Sequence, residues 1–197
     1  MDPVCKRNPD GNGDLMKNPW KTINSREIYK NTWIRLREDR VITPTGSEGI
    51  YGVVEAHPAI GIVPVAENLD TYLVGQYRYT LDTYSWEIPE GGGIDGESNL
   101  AAARRELLEE TGLTAEKWTY LDSLYTSNSF TNEIGHIFLA ENLKTGQPEP
   151  DHTEVLSVKR LPLAEAYRMV LDYAIKDALA VIGIFRAYQY LHSQGRL

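Results

Sequence analysis

Between residues 90 and 113 the chain reads EGGGIDGESNLAAARRELLEETGL, and its second half gathers Glu106, Glu109 and Glu110 within little more than one turn of a predicted helix. At about 100° per residue the three acids fall within an arc of roughly 100° on one side of that helix. Leu100, Ala103 and Leu107 occupy the neighbouring arc, the one suited to facing a sheet. The acids therefore flank the apolar stripe, whereas a solvated face would lie opposite it. Like charges at i, i+4 cost a few tenths of a kcal/mol, and partial burial adds to that, so the arrangement calls for a cation. Hard divalent ions take oxygen ligands, and Mg²⁺ combines a few carboxylates with waters and substrate phosphate oxygens. The chemistry indicated is metal-assisted reaction at phosphorus. Arg105, at about 140° on the same wheel, is better placed to orient a glutamate than to approach a metal. The plain alternative is an exposed helix with solvated acids.

The first half of the stretch raises a competing reading, because Gly91, Gly93 and Gly96 satisfy the G-x-G-x-x-G spacing of dinucleotide-binding loops. Pro89 stands two residues before the first glycine, the helix begins only after Gly96, and Glu97 would present a bare negative charge to a pyrophosphate. The match is coincidental on those grounds. No G-K-[ST] follows, which excludes a P-loop. The glycines read instead as a loop that lets backbone come close to a ligand.

The elements that must position this platform are legible on both sides of it. Extended segments run through REIYKNTWIRLREDRVI, the turn TPTGSEG and IYGVVEAH, then AIGIVPVA and TYLVGQYRY. The predicted helix spans Ser98 to Thr111, with Gly112 free to adopt the left-handed conformation that ends it. KWTYLDSLYTSN and IGHIFLAENL read as strands joined by SFTNE, and VLSVKRL as another strand after the polar stretch KTGQPEPDHTE. Leu163 to His192 carries helical spacing twice, interrupted around Lys176 and Asp177. Strands first, one helix among them and helices last give an α+β order with a mixed sheet covered by helices.

Composition bounds the partners. The 197 residues carry a formal charge of −8, which argues against a face built to neutralise nucleic acid. Cys5 is the only cysteine, so no intrachain disulfide is possible and a reducing, cytoplasmic setting is expected. No run approaches the ~18 apolar residues of a membrane span, and no membrane partner is expected. Residues 1–18, rich in Gly, Asn, Asp and Pro, are expected to form a disordered arm before a single domain over 19–197.

Gly91, Glu97, Arg105-Glu106-Leu107, Glu109-Glu110 and Gly112-Leu113 resemble the Nudix box, G-x5-E-x7-R-E-U-x-E-E-x-G-U with U aliphatic, at every defined position. The resemblance implies the Nudix α/β/α sandwich over about residues 20 to 195, and hydrolysis of a nucleoside diphosphate linked to another moiety with Mg²⁺ or Mn²⁺ as cofactor. It makes Glu106 and Glu110 direct metal ligands, with Glu109 close behind and the Glu90 carbonyl able to complete the coordination. Glu97 and Arg105 would brace the loop on the helix. Glu154, in PEPDHTEVLSV, is implied as the base or an additional metal ligand, ahead of Asp151 and His152. Glu154, Glu109 and Arg105 are thus the residues expected to serve catalysis.

QYRYTLDTYSWEIPEGGG resembles the approach to the box in ADP-ribose and nucleotide-sugar diphosphatases, which implies substrate contacts from Arg78 and Glu87. SNSFTNE matches a loop that ends in a substrate glutamate, here Glu133. Where strict ADP-ribose pyrophosphatases usually carry a proline beyond the box, this chain has Asn128 and Ser129, so a broader nucleoside-diphosphate-sugar hydrolase is the favoured reading. Tyr29, Trp33 and Tyr51 could stack on a base, although sheet or interface packing is their more common use. The resemblance also implies a homodimer. The competing classes are a nucleotide-sugar sensor, which the intact box disfavours, and a hydrolase of nucleoside triphosphates or RNA caps, which the acidic balance disfavours.

Overall fold

A computed structural model describes residues 17–146 and 155–197. The expected N-terminal arm lies up to residue 16 outside the described residues, as do Asp151, His152 and Glu154. The described chain forms two compact units, one up to Glu55 and one from Ala56 to Leu197.

In the first unit, β1 (Lys21–Lys30), β2 (Ile34–Ile42) and β3 (Glu48–Ala56) form a three-stranded sheet in that order. β1 and β2 are antiparallel, and the turn expected at TPTGSEG closes between Thr43 and Ser47, with Gly46 left-handed at φ 89°. Every residue of β1 is exposed. Cross-strand ion pairs line the sheet, among them Arg26–Glu38, Arg35–Glu27 and Arg35–Glu55.

The second unit begins with β4 (Ala59–Pro64) and β5 (Asp70–Arg78), a 3₁₀ turn over Tyr79–Leu81, then β6 (Thr83–Glu87) and β7 (Glu90–Gly92). α1 (Asn99–Thr111), β8 (Leu113–Tyr125), β9 (Ile134–Thr145), β10 (Ser157–Pro162), α2 (Leu163–Leu171) and α3 (Ala178–Ser193) complete it. One sheet has the order β7-β4-β9-β8, mixed because β4 and β9 run parallel while the outer pairs are antiparallel. The other, β10-β5-β6, is antiparallel.

The period of two in AIGIVPVA decides which helix covers which face. Ile60 and Ile62 pack with Ala102, Ala103 and Leu107 of α1, while Val63 joins Ile137, Leu139 and the buried residues of α2 and α3. The mixed sheet is thus a layer between helices, and helix-side truncations such as Leu107→Ala carry the usual cost of about 2–5 kcal/mol. α3 lies close on its face because Gly183 has no side chain: a Cβ there would stand 2.9 Å from Ile88 Cδ1 and 3.2 Å from Val63 Cγ2.

α1 starts where Ser98 Oγ accepts the Ala101 N–H at 3.2 Å, and it stops at Gly112, whose φ of 69° turns its N–H onto the Leu108 carbonyl. The expected elements are present, with three differences. β8 begins directly at Leu113. The break before α3 runs from Asp172 through Asp177. The glycine cluster opens as a short strand, because Glu90, Gly91 and Gly92 pair with Gly61, Ile60 and Ala59 on the edge of β4.

Candidate active site

Leu107 and Ala103 draw α1 onto the sheet, and the acids beside them are carried into its edge. Glu106 and Glu110 are consequently buried, at 8% and 5% exposure. Glu106 lies against Gly91: a Cβ there would be 2.2 Å from the carboxylate carbon and 2.3 Å from both oxygens. Glu110 accepts the backbone N–H of Glu90 at 2.9 Å. The two carboxylates therefore address the same dipeptide, Glu90-Gly91, which also offers the Glu90 carbonyl. Carboxylates beside a backbone carbonyl form the oxygen donor set that suits a hard divalent cation.

Arg105 ties this arrangement together. Its Nε and Nη2 donate to the two oxygens of Glu97 at 3.2 and 3.1 Å, and Nη2 also donates to the Gly92 carbonyl at 2.9 Å. Nη1 donates to Glu106 at 2.6 Å and to Glu109 at 3.0 Å. The fork geometry of a guanidinium permits this, and an ammonium could not reproduce it. The bonds from Arg105 hold the Glu97 carboxyl below its ordinary pKa, and the same bonds raise the Arg105 guanidinium above its own. Glu109 is the most exposed of the box acids that Arg105 holds.

A second charged group adjoins through the Glu90 side chain. Arg78, the last residue of β5, reaches back to Glu87 at the end of β6, donating from Nε at 2.9 and 3.1 Å and from Nη2 at 2.5 Å. Nη2 also donates to Glu90 Oε1 at 2.9 Å. Glu87 is only 2% exposed, and Gln76 Nε2 lies a further 3.4 Å from it. Burial works against the Arg78 charge, but its bonds to Glu87 and the charges of Glu87, Glu90 and Asp177 together outweigh it and raise the guanidinium pKa. The bonds of Arg78 to Glu87 and Glu90 run from Nε and Nη2, and among the described residues no hydrogen bond runs from Nη1. Burial, followed by the charges of Asp177 and Glu87, pushes the Glu90 carboxyl well above its ordinary pKa, with Arg78 opposing. One oxygen each of Glu87, Glu90 and Asp177 lie within 4.8 Å of one another.

Glu133 stands just before β9, half-buried, its N–H bonded to Thr131 Oγ1 at 3.1 Å. Among the described residues no side-chain hydrogen bond joins it to Arg78, Glu87 or the α1 glutamates. In the first unit Tyr29 and Trp33 are exposed, and Tyr51 meets Trp20 edge-on at 5.5 Å. The Glu90 side chain and Asp177, which falls in the break between two helical stretches, are the members of this cluster that the sequence does not single out. The signal available for Asp177 was its place before Ala178-Leu179-Ala180, where an aspartate caps a helix N-terminus.

Comparison with known proteins shows the family of the chain. Residues 55–180 match the NUDIX domain and residues 20–54 match the nucleoside diphosphate sugar hydrolase N-terminal domain. The chain is 34% identical over 177 residues to the ADP-ribose pyrophosphatase of Mycobacterium tuberculosis, covering 88% of this chain and 86% of that protein. It is 34% identical over 173 residues to the ADP-ribose pyrophosphatase of Bacillus subtilis, covering 87% and 91%. The crystal structure of an ADP compounds hydrolase superposes with a TM-score of 0.81 at 25% identity, covering 93% of this chain and all of that one. The chain therefore belongs to the Nudix hydrolases that act on phosphorus anhydrides, in the branch of the ADP-ribose pyrophosphatases and nucleoside-diphosphate-sugar hydrolases.

Proposed function

We propose that the protein hydrolyses the diphosphate bond of nucleoside diphosphate sugars of the ADP-ribose and GDP-mannose type, with Mg²⁺ as cofactor, to a nucleoside monophosphate and a sugar phosphate. The observation that carries this reading is the pair of buried carboxylates, Glu106 and Glu110, on the Glu90-Gly91 backbone, next to Arg78. A diphosphate is anionic and resists attack by hydroxide, so hydrolysis needs charge neutralisation and an acidified water, which Mg²⁺ supplies when bound. Glu106, Glu110 and the Glu90 carbonyl would hold it. In-line displacement at phosphorus then depends mainly on positioning.

The chain's own residues divide that work. Arg78 presents Nη1 to the diphosphate while Glu87 and Glu90 fix its other edge. Arg105 keeps Glu106 and Glu109 in one orientation and fastens the Gly92 carbonyl to the helix. Glu154 serves as base or further metal ligand, and Glu133 contacts the substrate. The exposed apolar side chains of the first unit, including Trp33 and Ile50, support a homodimer in which a second copy covers them. Among the described residues no helix is long and apolar enough to cross a membrane, which fits a cytoplasmic enzyme.

The test is release of monophosphate from ADP-ribose, GDP-mannose, UDP-glucose and nucleoside triphosphates by the purified protein, with Mg²⁺ and with EDTA. Metal-dependent cleavage of the sugar-linked compounds is the expected result. The names of the two relatives above favour one narrower reading, strict ADP-ribose hydrolysis, and activity on ADP-ribose alone would establish it. Cleavage of triphosphates only, or of nothing, would overturn both.

A further inference from the structure

Asp177 lies far along the chain from both the box and the β5–β6 segment, yet it closes the same cluster. Its Oδ2 accepts the Ala180 N–H at 2.8 Å, capping α3. That helix is anchored immediately by Leu179, Ala180, Gly183 and Ile184, all buried, so Asp177 is held by a rigid element. Glu90 joins it to the arginine. Oε1 of Glu90 takes the Arg78 Nη2 hydrogen, whereas Oε2 is buried and receives no hydrogen bond among the described residues. One oxygen of Asp177 lies within 4.8 Å of an oxygen of Glu90, and no other acid of the second unit closes this group with Glu87 and Glu90 among the described residues. Arg78 holds Oε1 of Glu90, and the Asp177 carboxyl stands beside the same buried group.

We propose that Asp177 is a positioning residue for the substrate arginine: by confining Glu90 it fixes the Arg78 guanidinium so that the Nη1 edge faces the substrate diphosphate. The inference rests on the diphosphate-binding role of Arg78 proposed above. It makes the start of α3 part of substrate recognition. It also predicts coupling between two residues that do not bond to each other directly.

The test uses Asp177→Ser and Asp177→Asn. Serine caps a helix as well as aspartate does but is too short to reach Glu90, while asparagine keeps the cap and can donate its amide to Glu90 Oε2. Asp177→Ser should raise KM for ADP-ribose on the order of tenfold, more than it lowers kcat, and Asp177→Asn should stay close to wild type. In an Arg78→Ala background Asp177→Ser should change KM no further. A purely structural role predicts equal effects in both backgrounds, and that result would overturn the proposal, as would an Asp177→Ser enzyme with wild-type KM. A substrate-independent readout separates this failure from failure of the proposed activity: the Arg78 Nε–H resonance in ¹⁵N-arginine-labelled protein, identified by its loss in Arg78→Lys. It should be protected from exchange in wild type and Asp177→Asn and lose protection in Asp177→Ser. Equal protection in all three would refute the positioning role whatever the enzyme cleaves.

Discussion

The carboxylate of Glu106 occupies the space where a side chain on Gly91 would begin, with its carbon 2.2 Å from the position of that Cβ. Glycine is required here for room, since its backbone belongs to an ordinary strand pair with β4. Neither side can yield easily, because Arg105 holds Glu106 and Glu110 holds the Glu90 N–H. Gly91→Ala should therefore cost about 1–3 kcal/mol as overpacking. Turnover should fall on the order of a hundredfold, as misplacement of reacting groups by about 1 Å does. Urea unfolding and steady-state kinetics on the same preparation check both, and a variant equal to wild type would place Glu106 elsewhere.

Glu110→Gln leaves an oxygen to accept the Glu90 N–H and removes only the charge. The fold should persist, with a thermal midpoint within a few degrees of wild type, while kcat drops by about two orders of magnitude or more. Near-normal turnover in this variant would remove Glu110 from the metal-binding role.

Arg105→Lys keeps the charge but cannot serve Glu97, Glu106, Glu109 and the Gly92 carbonyl at once. We expect kcat to fall at least tenfold with little change in KM, measured by initial rates, because the loss falls on orientation and not on substrate contact.

The Arg105–Glu97 pair also predicts a pH dependence. The Glu97 carboxyl is held below its ordinary value by Arg105, so its contribution is present above the unfolded pKa of about 4.3 and disappears as pH falls through the lower folded value. The difference in thermal midpoint between wild type and Glu97→Gln should be largest near neutrality and shrink as the pH drops below about 4. A difference that grows on acidification would contradict the pairing.

Arg78→Lys should raise KM for nucleoside diphosphate sugars about tenfold with a smaller effect on kcat. Glu87 is almost fully buried, so Arg78→Ala should in addition destabilise the protein by about 3 kcal/mol through the uncompensated charge it leaves. Denaturant titration of the two variants separates the two effects.

Much of this was legible in the chain before its structure. AIGIVPVA and IGHIFLAENL read as strands and are β4 and β9, and Ser98 and Gly112 marked both ends of α1. The glutamate arc beside the Leu107 stripe anticipated that Glu106 and Glu110 would be buried. What stayed hidden depended on distance in sequence. Nothing local indicates that Glu90 reaches Arg78 or that Asp177 joins them, because those contacts are made by the docking of β6, β7 and α3 around one core. The pairing of Glu90 to Gly92 with β4 was equally unreadable, since glycines advertise turns more strongly than edge strands.

The bonds of Arg105 join Glu97, Glu106, Glu109 and Gly92, and Glu110 returns to Glu90, so residues 90 to 110 carry many of their own braces in addition to the pairing with β4. Arg78, Glu87 and Asp177 come from three other places in the chain. On the roles proposed above, the metal-holding carboxylates and the groups that meet the substrate thus come largely from different stretches of the chain. On that division, drift or design could rework β5, β6 and the start of α3 to change specificity while residues 90 to 110 are inherited whole.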